Sequence, residues 1–171
     1  MYIDLHLENR SLAEDEKKLG FSIVQTPKKV FLRNPKDFSQ LQENSVAESE
    51  SSDLLRKASK KKLLINPFLV KGLFKDEGLI RCVAEGKAIF EIPVNIFLSS
   101  SGAKRAKALR EASIFLKKCI KLKAPYCLTS RAKTLFDLKT PFEMAAIGNA
   151  LGLTRDQAKA AVSFYPGKWL E

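Results

Sequence analysis

Apolar and polar positions alternate at the start of the chain. Across Tyr2-Ile3-Asp4-Leu5-His6-Leu7, residues Ile3, Leu5 and Leu7 fall on one side and Tyr2, Asp4 and His6 on the other, which predicts a short strand with one buried face. Ser11, with Glu14 three residues on, has the spacing of a capping box, and Gly20 closes the helix it would start. Phe21–Val24 and Val30–Leu32 read as strands, the latter stopped by Asn34-Pro35. Leu63–Ile65 is a strand ending at Asn66-Pro67. Asp76–Glu85 reads as a helix capped by Gly86, and Ala88–Ile92 as a strand. Gly102–Leu122 has the strongest helical period, followed by a strand at Tyr126 and two more helical patterns.

The tract from Glu43 to Lys62 supports two readings. Its Ser/Glu run and its lysines suit a linker. They also suit a short strand, an Asp53-capped helix and a basic loop, and the helical spacing of Leu54, Leu55 and Ala58 favours this ordered version. Strands and helices then alternate through short connections, implying parallel strands wrapped by helices. Six or seven strands fit a (β/α) barrel, compact or incomplete, or an open doubly wound sheet. No GxGxxG or GKS loop supports the nucleotide-binding version of that sheet. The length of 171 residues suits a single domain over 1–171.

Composition narrows the partners. The hydrophobic fraction is 45%, ordinary for a folded domain. No apolar run is long enough to cross a membrane, and the acidic start is unlike a secretory leader. Cys82, Cys119 and Cys127 are odd in number and widely spaced, as expected of small buried thiols in a reducing cytoplasm. The net charge of +11 is concentrated beyond residue 50. Between Ser101 and Lys133 stand ten basic residues and one acid, Glu111. Such an excess points to a polyanion.

On a helical wheel, Ala106, Leu109, Ala112, Leu116, Cys119 and Ile120 share one face of the long helix, while Lys107, Arg110, Lys117, Lys118 and Lys121 gather opposite. A charged outer face is the ordinary state of a surface helix. Here, however, acids are not interleaved to form intrahelical pairs, so a row of phosphates is the better match. The small residues of the apolar face, and its lack of Trp, argue against a membrane anchor.

Catalytic chemistry is thinly provided. Phosphoesterase barrels of the polymerase-and-histidinol-phosphatase superfamily begin with a strand bearing a His-x-His metal pair. This chain has His6 followed by Glu8, and no other histidine. A carboxylate site for magnesium from Asp4, Glu8, Glu91 and Asp137 is conceivable, but His6 reads better as a satisfied strand residue. No Ser-His-Asp or Cys-His set can be assembled from one histidine. The expectation is no catalytic residue and no metal ligand in this chain.

The Arg110–Lys123 helix, Leu128-Thr129-Ser130-Arg131-Ala132, Asp137-Leu138-Lys139-Thr140-Pro141, and Gln157–Ala160 through Ser163-Phe164-Tyr165-Pro166 stand in a distinctive order. Fainter signs are Val46–Ser49, Asp53–Arg56 and Ile65–Phe68. In this series the chain resembles the archaeal and eukaryotic ribonuclease P protein component 3 family, that of the human thirty-kilodalton subunit. The resemblance implies a compact or trimmed TIM-like barrel related to the phosphoesterase superfamily but without its metal site. It also implies an endonuclease ribonucleoprotein that removes 5′ leaders from precursor tRNA, in which magnesium bound by the RNA performs the hydrolysis and proteins brace it. The implied partners are ribonuclease P RNA, precursor tRNA and a small α/β-sandwich subunit in a two-plus-two heterotetramer. The chain is shorter than typical relatives, so barrel helices would be trimmed to loops around Lys71–Lys75. Lys139 stands where relatives carry Arg, losing a bidentate grip on phosphate.

If the strands form a parallel barrel, loops after their C-terminal ends carry function, which singles out Arg33, Lys71, Arg131 and Lys133. Thr129 and Ser130 could donate to phosphate or ribose. Thr140-Pro141 starts a helix beside Lys139, an anion-friendly place. With Arg56, Lys104, Arg105, Lys107, Arg110 and Lys117 these make the expected RNA-binding set. Scattered cations without stacking aromatics suit structured RNA. Phe115, Phe136 and Phe142 read as core by their spacing, while Phe164-Tyr165-Pro166 could close the barrel. The alternatives are a metal-dependent phosphoesterase on the same barrel and a scaffold for an acidic protein.

Overall fold

The computed structural model describes residues 1–73 and 76–171. Its backbone groups into two compact units: Met1–Pro27, Ile92–Ser113 and Cys127–Glu171 form unit 1, and Lys28–Glu91 with Ile114–Tyr126 form unit 2. Among the described residues the strands are β1 (Ile3–Asp4), β2 (Ile23–Val24), β3 (Lys29–Phe31), β4 (Val46–Glu48), β5 (Leu64–Asn66), β6 (Ile89–Pro93) and β7 (Tyr126–Thr129). The helices are α1 (Ala13–Lys18), α2 (Ser52–Ala58), α3 (Glu77–Glu85), α4 (Asn95–Leu98), α5 (Gly102–Lys121), α6 (Pro141–Ala150), α7 (Arg155–Ala161) and α8 (Phe164–Leu170). β1 and β2 pair in parallel, and a parallel five-stranded sheet runs in the order β3-β4-β5-β6-β7.

In unit 2, successive parallel strands keep register, with Val30 opposite Ala47 and Ala47 opposite Ile65. Both faces of β5 and β6 are buried, as in parallel sheets covered on each side. α3 starts where Asp76 accepts a hydrogen bond from the Leu79 N–H, and it buries Leu79, Ile80 and Val83. Phe115, on the unit 2 part of α5, packs edge-on against Phe90, with ring centroids 4.9 Å apart. The tract from Glu43 to Lys62 is ordered, containing β4 and α2. Asp53 does not cap α2, because the helix begins one residue earlier and Ser51 holds the cap position. The shortened segment expected around 71–75 extends to residues 74 and 75, which lie outside the described residues.

In unit 1, the first strand departs from its half-buried expectation. Every residue from Ile3 to Leu7 is buried, the polar Asp4 and His6 included. The Ile3 N–H donates to the Val162 carbonyl and the Leu7 N–H to that of Gln25, so this strand is held from two sides. Ser11 does not cap α1. Asn9 accepts from the Ser11 N–H and starts a 3-10 turn at Arg10–Leu12, from which α1 continues without a side-chain cap. α6 and α7 each open on a complete capping box, Thr140–Glu143 and Thr154–Gln157. They cross closely at Gly148, where an added Cβ would sit 3.1 Å from both Ala158 Cβ and Leu128 Cδ1. Phe164–Pro166 forms the first turn of α8, in which Pro166 is buried.

Candidate nucleic-acid interface

The polar centre of unit 1 is built on β1. One Asp4 oxygen accepts from the backbone N–H of His6 and the other from that of Ser130, each at 3.0 Å. Across the centre, α1 turns Glu16 inward; it is fully buried. Neither Glu16 oxygen reaches a partner at full hydrogen-bond geometry, yet Asp4 and Ser130 lie close enough to bias its proton. Burial, then the charge and hydrogen bonding of Asp4, push the Glu16 carboxyl up to about 9, and the Ser130 hydroxyl opposes them. Glu16 is therefore held in its neutral form opposite Asp4. Beside them Arg131 adopts a left-handed backbone, φ 47°, and its N–H donates to the His6 carbonyl at 2.9 Å. Among the described residues no three His, Cys, Asp or Glu side chains form a metal-holding group. The arrangement is a brace joining β1, α1 and the end of β7.

This brace alters the expected RNA-binding set. Thr129, Ser130 and Arg131 are buried, so the hydroxyls of the first two do not face solvent. The Ser130 oxygen instead accepts from the Ala132 N–H. Lys133, just beyond, is exposed and lies 3.5 Å from Glu8. Lys139 is half-buried, and its ammonium donates to the Phe136 and Leu138 carbonyls at 3.1 and 2.9 Å, leaving it little freedom to hold phosphate. At the neighbouring start of α6, backbone donation from Thr140 and then its hydroxyl hold the Glu143 carboxyl below its ordinary range. The anion position there is thus taken by the chain's own carboxylate. Arg105 folds back to the Ser100 and Leu98 carbonyls.

Of the expected RNA-binding set, the cations that unit 1 leaves open lie on α5. Lys104, Lys107 and Arg110 are exposed and make no ion pair among the described residues. Of the expected apolar face Ala112, Leu116 and Cys119 are buried, Leu109 and Ile120 half-buried, and Ala106 exposed, because the first turns of α5, Gly102–Lys107, are exposed all round. Burial raises the Cys119 thiol pKa. In unit 2, Lys117 is exposed, but Lys118 pairs with Glu77 at 3.0 Å and so subtracts from the row. Arg56 is clamped between Asp53 and Asp76 at 3.0 and 2.7 Å, which makes it a structural cation. Arg33 stands 5.6 Å above the Phe31 ring, and Lys71 is exposed. The predicted residues divide between the units: Lys104, Arg105, Lys107 and Arg110 lie on the unit 1 part of α5, Thr129, Ser130 and Arg131 in the brace with Lys133 and Lys139 beyond it, and Arg33, Arg56, Lys71 and Lys117 in unit 2.

Two of the three phenylalanines expected in the core are outside it. Phe115 is buried, but Phe136 is 93% exposed and Phe142 72%. α6 turns Pro141, Met144 and Gly148 inward, so Phe142, one residue off that stripe, points away.

A sequence model of the family described as RNase P subunit p30 matches residues 70–171, more than half of the chain. The chain belongs to this family. It is 29% identical over 106 residues to the ribonuclease P protein component 3 of Methanococcoides burtonii, covering 62% of this chain and 44% of that protein. It is 32% identical over 96 residues to the ribonuclease P protein subunit drpp30 of Dictyostelium discoideum, covering 56% and 25%. The matched stretch thus spans less than half the length of these relatives. In three dimensions the chain is similar to one in the cryo-EM structure of archaeal ribonuclease P with mature tRNA, with a TM-score of 0.70 at 18% identity, over 98% of this chain and 78% of that one. That likeness concerns the fold, which is α/β and of the TIM-like barrel class. Among the described residues no helix is long and apolar enough to cross a membrane. The p30 match includes α5, β7 and α6–α8, the same elements whose motifs carried the resemblance.

Proposed function

We propose that this chain is a non-catalytic, RNA-binding protein subunit of ribonuclease P, supporting RNA-catalysed removal of 5′ leaders from precursor tRNA in the cytoplasm. The observation that carries the reading is the solvent-facing row Lys104, Lys107 and Arg110 on a helix within the p30 match. Unpaired cations along a rigid helix release counterions when they meet successive phosphates, and folded RNA is read chiefly through such contacts. The magnesium required for hydrolysis belongs to the RNA component. A small α/β-sandwich subunit, in a two-plus-two assembly, is the proposed protein partner. Family membership and the spent or buried state of the titratable groups around β1 support a bracing role over a hydrolytic one.

Reconstitution tests this. The purified chain alone should leave precursor tRNA uncut, while its addition to cognate RNA and the remaining protein subunits should raise the rate of 5′-leader removal. If omitting it from the mixture leaves the rate unchanged, or if the chain alone hydrolyses a phosphoester with manganese, the proposal fails.

A further inference from the structure

The α6–α7 corner of unit 1 carries chemistry that the basic helix does not use. On α6 the stripe flanking the buried Pro141, Met144 and Gly148 consists of Phe142, Ala145, Ala146 and Asn149, of which Phe142, Ala146 and Asn149 are exposed. A solvent-facing stripe ordinarily carries Lys, Glu or Gln. Here it ends in an exposed aromatic ring, met edge-on by Tyr2 at 5.7 Å between centroids, and in an amide. The backbone under Phe142 is fixed by the Thr140–Glu143 capping box. α7 borders the stripe with Arg155 and Lys159, one turn apart, both exposed and without an ion pair among the described residues. With Asp156 these residues enclose a cleft of about 370 Å³.

We infer that this cleft holds a single unpaired nucleotide of an RNA strand. Phe142 supplies a stacking platform, since every base has a π-face. The Asn149 amide, both donor and acceptor, meets the base edge. Arg155 and Lys159 neutralise the flanking phosphates, and the Asp156 carboxylate accepts from a ribose hydroxyl. An apolar protein helix laid in the same place would strip water from the amide and both cations without compensation, which favours the nucleotide. The inference rests on the RNA-binding reading and adds to it a site for an extruded base.

Two hairpin RNAs with the same stem, one fully paired and one with a single-nucleotide bulge, test it by fluorescence anisotropy on the full chain. Wild type should bind the bulged hairpin about five-fold or more tightly than the paired one. Phe142→Ala should remove that preference and Phe142→Trp should retain it, with circular dichroism confirming the fold of each. If Phe142→Ala is poorly folded, Asn149→Ala should reduce the preference in its place. Binding of both hairpins with equal affinity overturns the cleft while leaving the RNA-binding reading intact. Binding of neither overturns both. A Phe142→Ala effect confined to the sedimentation mass of the chain would make the cleft a protein contact and reject the inference.

Discussion

Glu16 is a carboxyl group with nowhere to put a negative charge. It is fully buried beside Asp4, so burial first and the Asp4 charge second hold its pKa at about 9. In the unfolded chain the same group titrates near its ordinary 4.5. Between these values the folded state keeps a proton that the unfolded state has lost, so stability falls as pH rises through this window and levels off above about 9. Glu16→Gln, neutral at every pH, should abolish this loss. Its melting temperature should match wild type near pH 5 and exceed it by about 2 °C or more at pH 8. Parallel curves across the range would mean that Glu16 is solvated. The sequence carried a hint of this, since Glu16 follows the buried Leu12 by one helical turn. Glutamate is so often an outward residue that the hint outweighs nothing without coordinates. Thr129 and Ser130 misled in the opposite sense, because the end of a parallel strand normally opens to solvent, whereas here the backbone N–H of Ser130 is drawn in by Asp4.

Elements were legible where local chemistry alone decides them. Asp76, Thr140-Pro141 and Gly86 announced their helix ends because a cap needs only its own turn: α3 and the long α5 fell close to their expected spans, and α6 begins where Thr140-Pro141 put its start. Less legible were elements whose ends depend on distant partners. Asn9 displaced Ser11 as a cap partly because its amide also donates to the Lys133 carbonyl, 124 residues on. The single turn of α4 carries no side-chain cap to announce it. Two substitutions probe this level. Thr140→Ala removes the bond its hydroxyl accepts from the Glu143 N–H and the one it donates to the Glu143 carboxylate, leaving only the backbone half of the box, and should cost about 1 kcal/mol in urea unfolding, with no change in the slope of the transition. Gly86→Ala should cost more, about 1–3 kcal/mol, because its Cβ would be driven into the backbone carbonyls of Ser59 and Cys82, which cannot swing aside as a side chain can. A Gly86→Ala chain as stable as wild type would show that the α3 end shifts freely.

At the scale of the whole molecule the deciding quantity is charge. The chain carries +11 at neutral pH, and folding spends part of its basic inventory internally: Arg56 on Asp53 and Asp76, Lys118 on Glu77, Lys139 on two carbonyls. Lys107 and Arg110 are not spent in this way, being exposed and free of ion pairs among the described residues. That distinction separates general attraction to a polyanion from a defined contact, because mobile surface charge raises affinity whereas a fixed row sets how many counterions leave. If each residue of the pair neutralises one phosphate, Lys107→Glu with Arg110→Glu should lower affinity and reduce the slope of log K against log salt by about 1.4–1.8. Lys118→Gln, a cation already paired, should change that slope by far less and should instead free the Glu77 carboxyl, which hydrogen bonding and then charge from Lys118 now hold below its ordinary range. A Lys107/Arg110 double reversal with an unaltered slope would move the phosphate contacts to another face. Equal effects from Lys107/Arg110 and Lys118 would mean that net charge, and not the exposed row, governs binding.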